Sequence, residues 1–87
     1  MLDKFIGKEV VIDLRSPFVC LGRLMAHGEL YLELQDADLH DLRDTTTARE
    51  NYVAASQATG IKRNRKRVLV VLGDVVAISL LADVVDE

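Results

Sequence analysis

Residues 67–81 read RVLVVLGDVVAISLL, and this stretch constrains the fold more than any other. Two aliphatic runs, 68–72 and 75–81, meet at Gly73-Asp74. Both are short and rich in Val and Ile, which reads as two strands joined by a tight turn. A single helix through the stretch would carry Gly in its middle, at a cost of ~1 kcal/mol relative to Ala. It would also have to hold many β-branched side chains, which prefer extended backbone. Whether Gly73 closes a hairpin or bends a larger sheet decides the topology.

The chain has 87 residues, and one small domain over 1–87 is expected. A hydrophobic content of 49% excludes a disordered chain. No apolar run is long enough to span a bilayer, and residues 1–4 lack the basic start of a secretory signal. Cys20 is the only cysteine, so no intrachain disulfide forms and a reducing cytoplasm is the expected compartment. It sits among apolar neighbours, as a small buried hydrophobe does. A catalytic thiol would need a histidine partner, and nothing ties His27 or His40 to it.

In chain order, residues 1–5 read as one turn of helix, with Gly7 ending it. Residues 8–15 alternate: Val10, Ile12 and Leu14 form a buried face against Glu9, Val11, Asp13 and Arg15 on a mostly polar one. Ser16-Pro17 makes a turn. Residues 18–26 form a second strand, with a sharp bend or bulge expected at Gly22. After the turn at 27–29, residues 30–36 form a third strand. Leu30, Leu32 and Leu34 share one of its faces, and Tyr31, Glu33 and Gln35 the other. Residues 37–66 are a long insertion. Within it, Thr47 at the N-cap and Glu50 at N3 fit a capping box, and Gly60 suits a helix end. A helix over about 48–58 follows, with Tyr52, Val53, Ala55 and Ser56 spaced to pack one face onto the rest. The tail 82–87 either continues the last strand or frays.

Assembled, these pieces resemble the Sm and Sm-like (LSm, Hfq-related) family of ring-forming proteins. GKEVVIDLRSPFVCLGRLMAHGELYLELQDA is similar to that family's first motif, allowing one residue less in the turn after Gly22. Gly7-Lys8, Val10, Ile12, Leu14, Gly22, Leu24, Leu32, Leu34, Asp36 and Ala37 fall at its pattern positions. RVLVVLGDVVAISLL is similar to the second motif, a strand, a Gly-containing turn and a final strand. The resemblance implies a mainly β fold, a small bent five-stranded antiparallel barrel with an N-terminal helix. It also implies that the fourth strand of one subunit pairs with the fifth of the next to close a homomeric ring. Here the barrel would carry a helical insertion before the fourth strand. Ring closure would pair the edges that a lone small barrel leaves open. The family's uracil-holding Asp and Asn are replaced by His27-Gly28 and Tyr31, and the Arg-Gly of its second motif by Leu72-Gly73. The resemblance therefore implies an altered uridine pocket. Tyr31 can stack on a base or pack at a subunit interface, whereas Leu72 can do neither of the things an arginine does.

Charge is unevenly spread on a chain of net charge −3. Lys62, Arg63, Arg65, Lys66 and Arg67 place five cations within six residues. Around a ring they would form a collar for phosphate backbones. Alternatively they are a solvated loop that pairs with the acidic segment Asp36, Asp38, His40, Asp41 and Asp44. That acidic segment invites a metal reading, but it has neither a Ca²⁺-loop spacing nor a Cys/His zinc pattern. If the third strand runs on through it, Asp36, Asp38 and His40 share a face and Asp41 points away. His40-Asp41 as an acid–base pair has no nucleophile beside it. The leading reading is a non-enzymatic ring-forming binding or scaffold protein without cofactor or metal. It is associated with itself and, through Tyr31, Lys62, Arg63, Arg65, Lys66 and Arg67, with RNA. A second is a structural homo-oligomer whose insertion helix docks a protein partner, and a third is a metal-dependent enzyme using Asp36, Asp38 and His40. None of the three involves a membrane.

Overall fold

The computed structural model describes residues 1–44 and 46–85. Asp86 and Glu87 of the expected tail, and Thr45 of the insertion, lie outside the described residues. The chain forms β1 (Glu9–Leu14), β2 (Phe18–His27), β3 (Tyr31–Asp41), α1 (Arg49–Thr59), β4 (Arg65–Val71) and β5 (Val75–Leu80). Single 3₁₀ turns occupy Leu2–Phe5, Leu42–Asp44, Leu72–Asp74 and Leu81–Asp83. Among the described residues, no helix is long and apolar enough to cross a membrane.

The five strands lie in the order β4-β3-β2-β1-β5, with every adjacent pair antiparallel. The two runs flanking Gly73 are therefore not partners. β4 pairs with β3, β5 pairs with β1, and Gly73 sits in a 3₁₀ turn that carries the chain from one sheet edge to the other. Of the two options open in the sequence, the bent sheet is the one adopted.

The bend is built at Gly22. A Cβ added there would lie 3.0 Å from Ala37 Cβ and 3.1 Å from Ala37 Cα, so only a residue without a side chain lets the two strands approach this closely. The β2–β3 register shifts at the same place, between Leu21 and Arg23, and Asp36 opposite adopts φ 51°. Such a bulge turns the strand and breaks its alternation. Ala37 and Asp38 are both buried while Asp36 is exposed. The expectation that Asp36, Asp38 and His40 share one face is corrected here, because the bulge swings Asp36 away.

Two apolar clusters result. The concave interior holds Val10, Ile12, Leu14, Cys20, Leu24, Leu32, Leu34, Ala37 and Val70. A second cluster on the opposite face joins Val11, Val19 and Leu21 to Val53 of α1 and to Leu81. Val11, expected on a mostly polar face, is thus buried because α1 roofs that face. The helix starts at Arg49, which puts the N-cap at Ala48 rather than Thr47, and its C-cap Gly60 has φ 95°. Val53 and Ser56 face inward and Tyr52 is half-buried, but Ala55 points to solvent. Leu30, expected to share a face with Leu32 and Leu34, is 67% exposed while those two are buried, because β3 begins only at Tyr31. The third strand runs on to Asp41, beyond the expected 36.

Two side-chain amides lock the insertion in place. Gln57 Nε2 faces the carbonyls of Leu81, Ala82 and Val84 at 3.0, 3.3 and 2.9 Å, fastening α1 to the C-terminal turn. Asn64 receives a hydrogen bond from Leu39 N–H and donates one to Leu39 O, each 3.0 Å, extending the β3–β4 ladder with a side chain.

Gly22→Ala is expected to destabilise the protein by about 1–3 kcal/mol, the range for overpacking a tight contact. Urea unfolding should show a lower midpoint at unchanged slope. Adding Ala37→Gly should recover part of the loss, since the two positions share the contact.

Candidate nucleic-acid interface

The residues expected to contact RNA fall into two groups along the β3–β4 pair. Tyr31 pairs with Val71, at the end of β3 next to the β2–β3 turn. It lines a shallow depression with Ala26, His27, Glu29, Leu30 and Leu69. Arg65 pairs with Ala37, six positions away, about 20 Å at the rise of a strand. The basic run thus clusters at one end of β4 and Tyr31 stands at the other.

Within the basic run the cations are held differently. Arg63 is paired with Asp36, and both side chains are more than half exposed. Arg65 Nη1 donates to the carbonyl of Asn64 at 3.1 Å. Lys66 and Arg67 are exposed on β4, and Lys62 borders a recess with Asp38, Tyr52 and Ser56. A pair as exposed as Arg63–Asp36 contributes little to folding, so this guanidinium can exchange its carboxylate for a phosphate at small cost. The substituted family positions sit apart from the run. His27 hydrogen-bonds Asp3 at 2.8 Å, which holds the Asp3 carboxyl below its ordinary range. Leu72 packs against the interior cluster.

A buried polar layer, invisible to spacing arguments, lies beneath α1. Tyr52 stacks on His40 with ring centroids 4.0 Å apart and planes within 9°. Its hydroxyl donates to Asp38 Oδ2, and Asp38 is buried. Burial, and then the Asp38 hydrogen bond and charge, push the Tyr52 phenol up. Asp38 is thus occupied by a helix contact and Asp36 by Arg63. Arg43 takes Asp41 through hydrogen bonds of 2.9 and 2.8 Å, which hold that carboxyl at about 2. Asp36, Asp38 and His40 do not converge. No group of three or more His, Cys, Asp or Glu among the described residues is placed to hold a metal ion. The signal that could have revealed the layer is Tyr52 itself, an aromatic with a polar tip on the inward face of a predicted helix.

No protein-family model and no curated protein matches the chain. Solved structures do match. The Sm protein of Pyrococcus abyssii, solved in complex with a uridine heptamer, is 20% identical, with a TM-score of 0.62 over 91% of this chain and 90% of that one. A heptameric archaeal Sm protein is 24% identical, with a TM-score of 0.60 over 91% of this chain and 93% of that one. The likeness at these identities is one of architecture, and the chain has the Sm fold.

Cys20 is fully buried beside Asp38. Burial, and secondarily the Asp38 charge, push its thiol up to about 12. The folded state therefore keeps a proton that the unfolded state releases near the ordinary thiol range, and folding stability should fall as pH rises from about 9 toward 12. Iodoacetamide at pH 8 should leave Cys20 unmodified in the native protein and alkylate it fully in 6 M guanidinium (roughly the strongest denaturing condition in common use). Rapid native labelling would contradict the burial.

Proposed function

We propose that the chain is a non-enzymatic Sm-like protein that closes into a homo-oligomeric ring and contacts RNA through a basic collar. The observation that carries the ring is the strand order. β4 and β5 form the two outer edges of one bent sheet, each offering an unpaired row of main-chain donors and acceptors. Exposed edges of this kind are templates for pairing. Joining β4 of one copy to β5 of the next satisfies both edges, and the fixed bend makes the repeat curve back on itself. That one Sm neighbour is heptameric supports this reading. The solitary buried thiol suits a reducing cytoplasm.

The RNA contact draws support from the uridine heptamer held by the other neighbour and from the exposed cations Lys62, Arg63, Arg65, Lys66 and Arg67. Binding through such a run is electrostatic and reads the backbone. With Tyr31 as the aromatic platform and Leu72 turned into the core, base preference is weak.

Light scattering should give a mass several times that of one chain; a monomer at micromolar concentration would sink the ring. Retention of a random single-stranded RNA pool should be lost in the variant Lys62→Ala, Arg63→Ala, Arg65→Ala, Lys66→Ala. Weakening with salt should follow a log–log slope of about 0.7 per phosphate contact. Unchanged retention in that variant, or no retention by the native protein, points instead to a structural oligomer with a protein partner.

A further inference from the structure

Asp38 is the one charged residue that is buried among the described residues, at 8% exposure. None of the ion pairs among those residues includes it. Its hydrogen bond from the Tyr52 hydroxyl takes Oδ2 and leaves Oδ1 without a donor among the described residues. A buried charge is ordinarily paired, because its lost hydration is otherwise not replaced. Oδ1 is nonetheless reachable. Among the described residues, the side-chain atom that is both sealed in and unpartnered is His40 Nε2.

Asp38 lines a recess of about 200 Å³ between β3 and the end of α1, together with Tyr52, Ser56, Thr59 and Lys62. Its wall is rich in acceptors. Tyr52 gives its proton to Asp38, and Thr59 Oγ1 donates to the Ala55 carbonyl at 2.8 Å, so both hydroxyl oxygens are left to accept. The recess also lies at the C-terminal end of α1, where the helix dipole is negative and the last turn carries no basic residue. Carboxylate, hydroxyl oxygens and helix end all favour a cation with hydrogens to donate.

The volume is that of several water molecules, at about 30 Å³ each, and so exceeds what a bare ion fills. A hard metal ion would also want more carboxylates, and no group of three or more His, Cys, Asp or Glu among the described residues is placed to hold one. A primary ammonium suits the wall better, since its three N–H groups make charge-assisted bonds to carboxylate and hydroxyl oxygens. A short alkyl stem then lies against Ala55 and Gly60, which complete the lining. Lys62 borders the recess without forming an ion pair with Asp38, and its charge disfavours a ligand with a second cationic group. We propose that this recess binds a small primary alkylammonium ion, with the Asp38 carboxylate as its counter-ion and Lys62 restricting it to a single positive charge. Because Asp38 stands on β3 and the hydroxyl groups on α1, the bound ion bridges sheet and insertion and stabilises their contact by mass action.

All the lining residues belong to one chain, so binding requires neither the ring nor RNA. The test is titration of methylammonium and propylammonium chloride into the isotope-labelled full chain, followed by the backbone amide shifts of residues 55–60. Saturable shifts are expected. They should be absent with sodium chloride at equal ionic strength and with tetramethylammonium, which has no N–H to donate. Asp38→Asn keeps an acceptor for the Tyr52 hydroxyl and should weaken binding at least about tenfold. Ala55→Leu alters an exposed position and should abolish binding by filling the recess, which keeps the test decisive if Asp38→Asn fails to fold. Lys62→Ala should tighten ammonium binding about threefold by removing a like charge from the mouth. The same change weakens RNA retention, so the two sites are told apart by effects of opposite sign. Equal shifts with sodium or tetramethylammonium overturn the proposal. So does undiminished binding in a folded Asp38→Asn or Ala55→Leu variant, or saturation of these amides by Mg²⁺ but not by methylammonium.

Discussion

The close approach of Gly22 to Ala37 is the constraint on which the rest of the molecule depends. At 3.0 Å from a would-be Cβ, the two strands meet where no side chain fits between them. That contact folds β2 and β3 over, and the accompanying bulge at Asp36 inverts the alternation of β3. The consequences spread in both directions. Upstream, Leu32 and Leu34 turn into the concave interior with Val10, Ile12 and Leu24. Downstream, Ala37 and Asp38 are buried and Asp36 is left outside to meet Arg63. A flat version of the same sheet would lack the concave interior that these side chains fill.

The second apolar face shows how a small domain can use an insertion. Val11, Val19 and Leu21 would be a solvent-facing apolar patch without α1 and the Leu81–Asp83 turn above them. Burying such side chains contributes roughly 1.5–3 kcal/mol each, a large share of the margin by which a domain of this size is folded. The polar groups carried into that layer are matched in part, with His40 Nε2, stacked against Tyr52, left without a hydrogen-bond partner among the described residues. The Tyr52 hydroxyl meets Asp38, and Gln57 takes up carbonyls of the C-terminal turn. Helix and turn therefore hold each other, and neither is secure alone.

Much of the architecture was legible in the sequence. Alternation in residues 8–15, the lone glycine inside an apolar strand and the paired aliphatic runs at 68–81 each signal a β element. The bent antiparallel arrangement of these elements is what their resemblance to the Sm-like motifs implies. What escaped were effects of tertiary packing on local pattern. Periodicity cannot say whether a second layer covers a strand, as α1 covers Val11, or how a helix is rotated about its axis, as at Ala55. Alternation alone puts Asp36 and Asp38 on one face, since a bulge leaves only a weak trace in the sequence, here a glycine on the neighbouring strand. The basic run was visible as charge. Its distance from Tyr31 was not, since that separation depends on which residue of β4 faces which residue of β3.

Asn64 has a consequence of another kind. Its side-chain amide makes the two hydrogen bonds to Leu39 that a peptide unit of a continuing strand would make. The last rung of the β3–β4 ladder is thus specified by the identity of one residue and not by the number of residues preceding it. Chain added to or removed from the connection before Asn64 leaves that rung, and the register of β4 behind it, where it was. The segment between α1 and β4 is in this sense a built-in expansion joint.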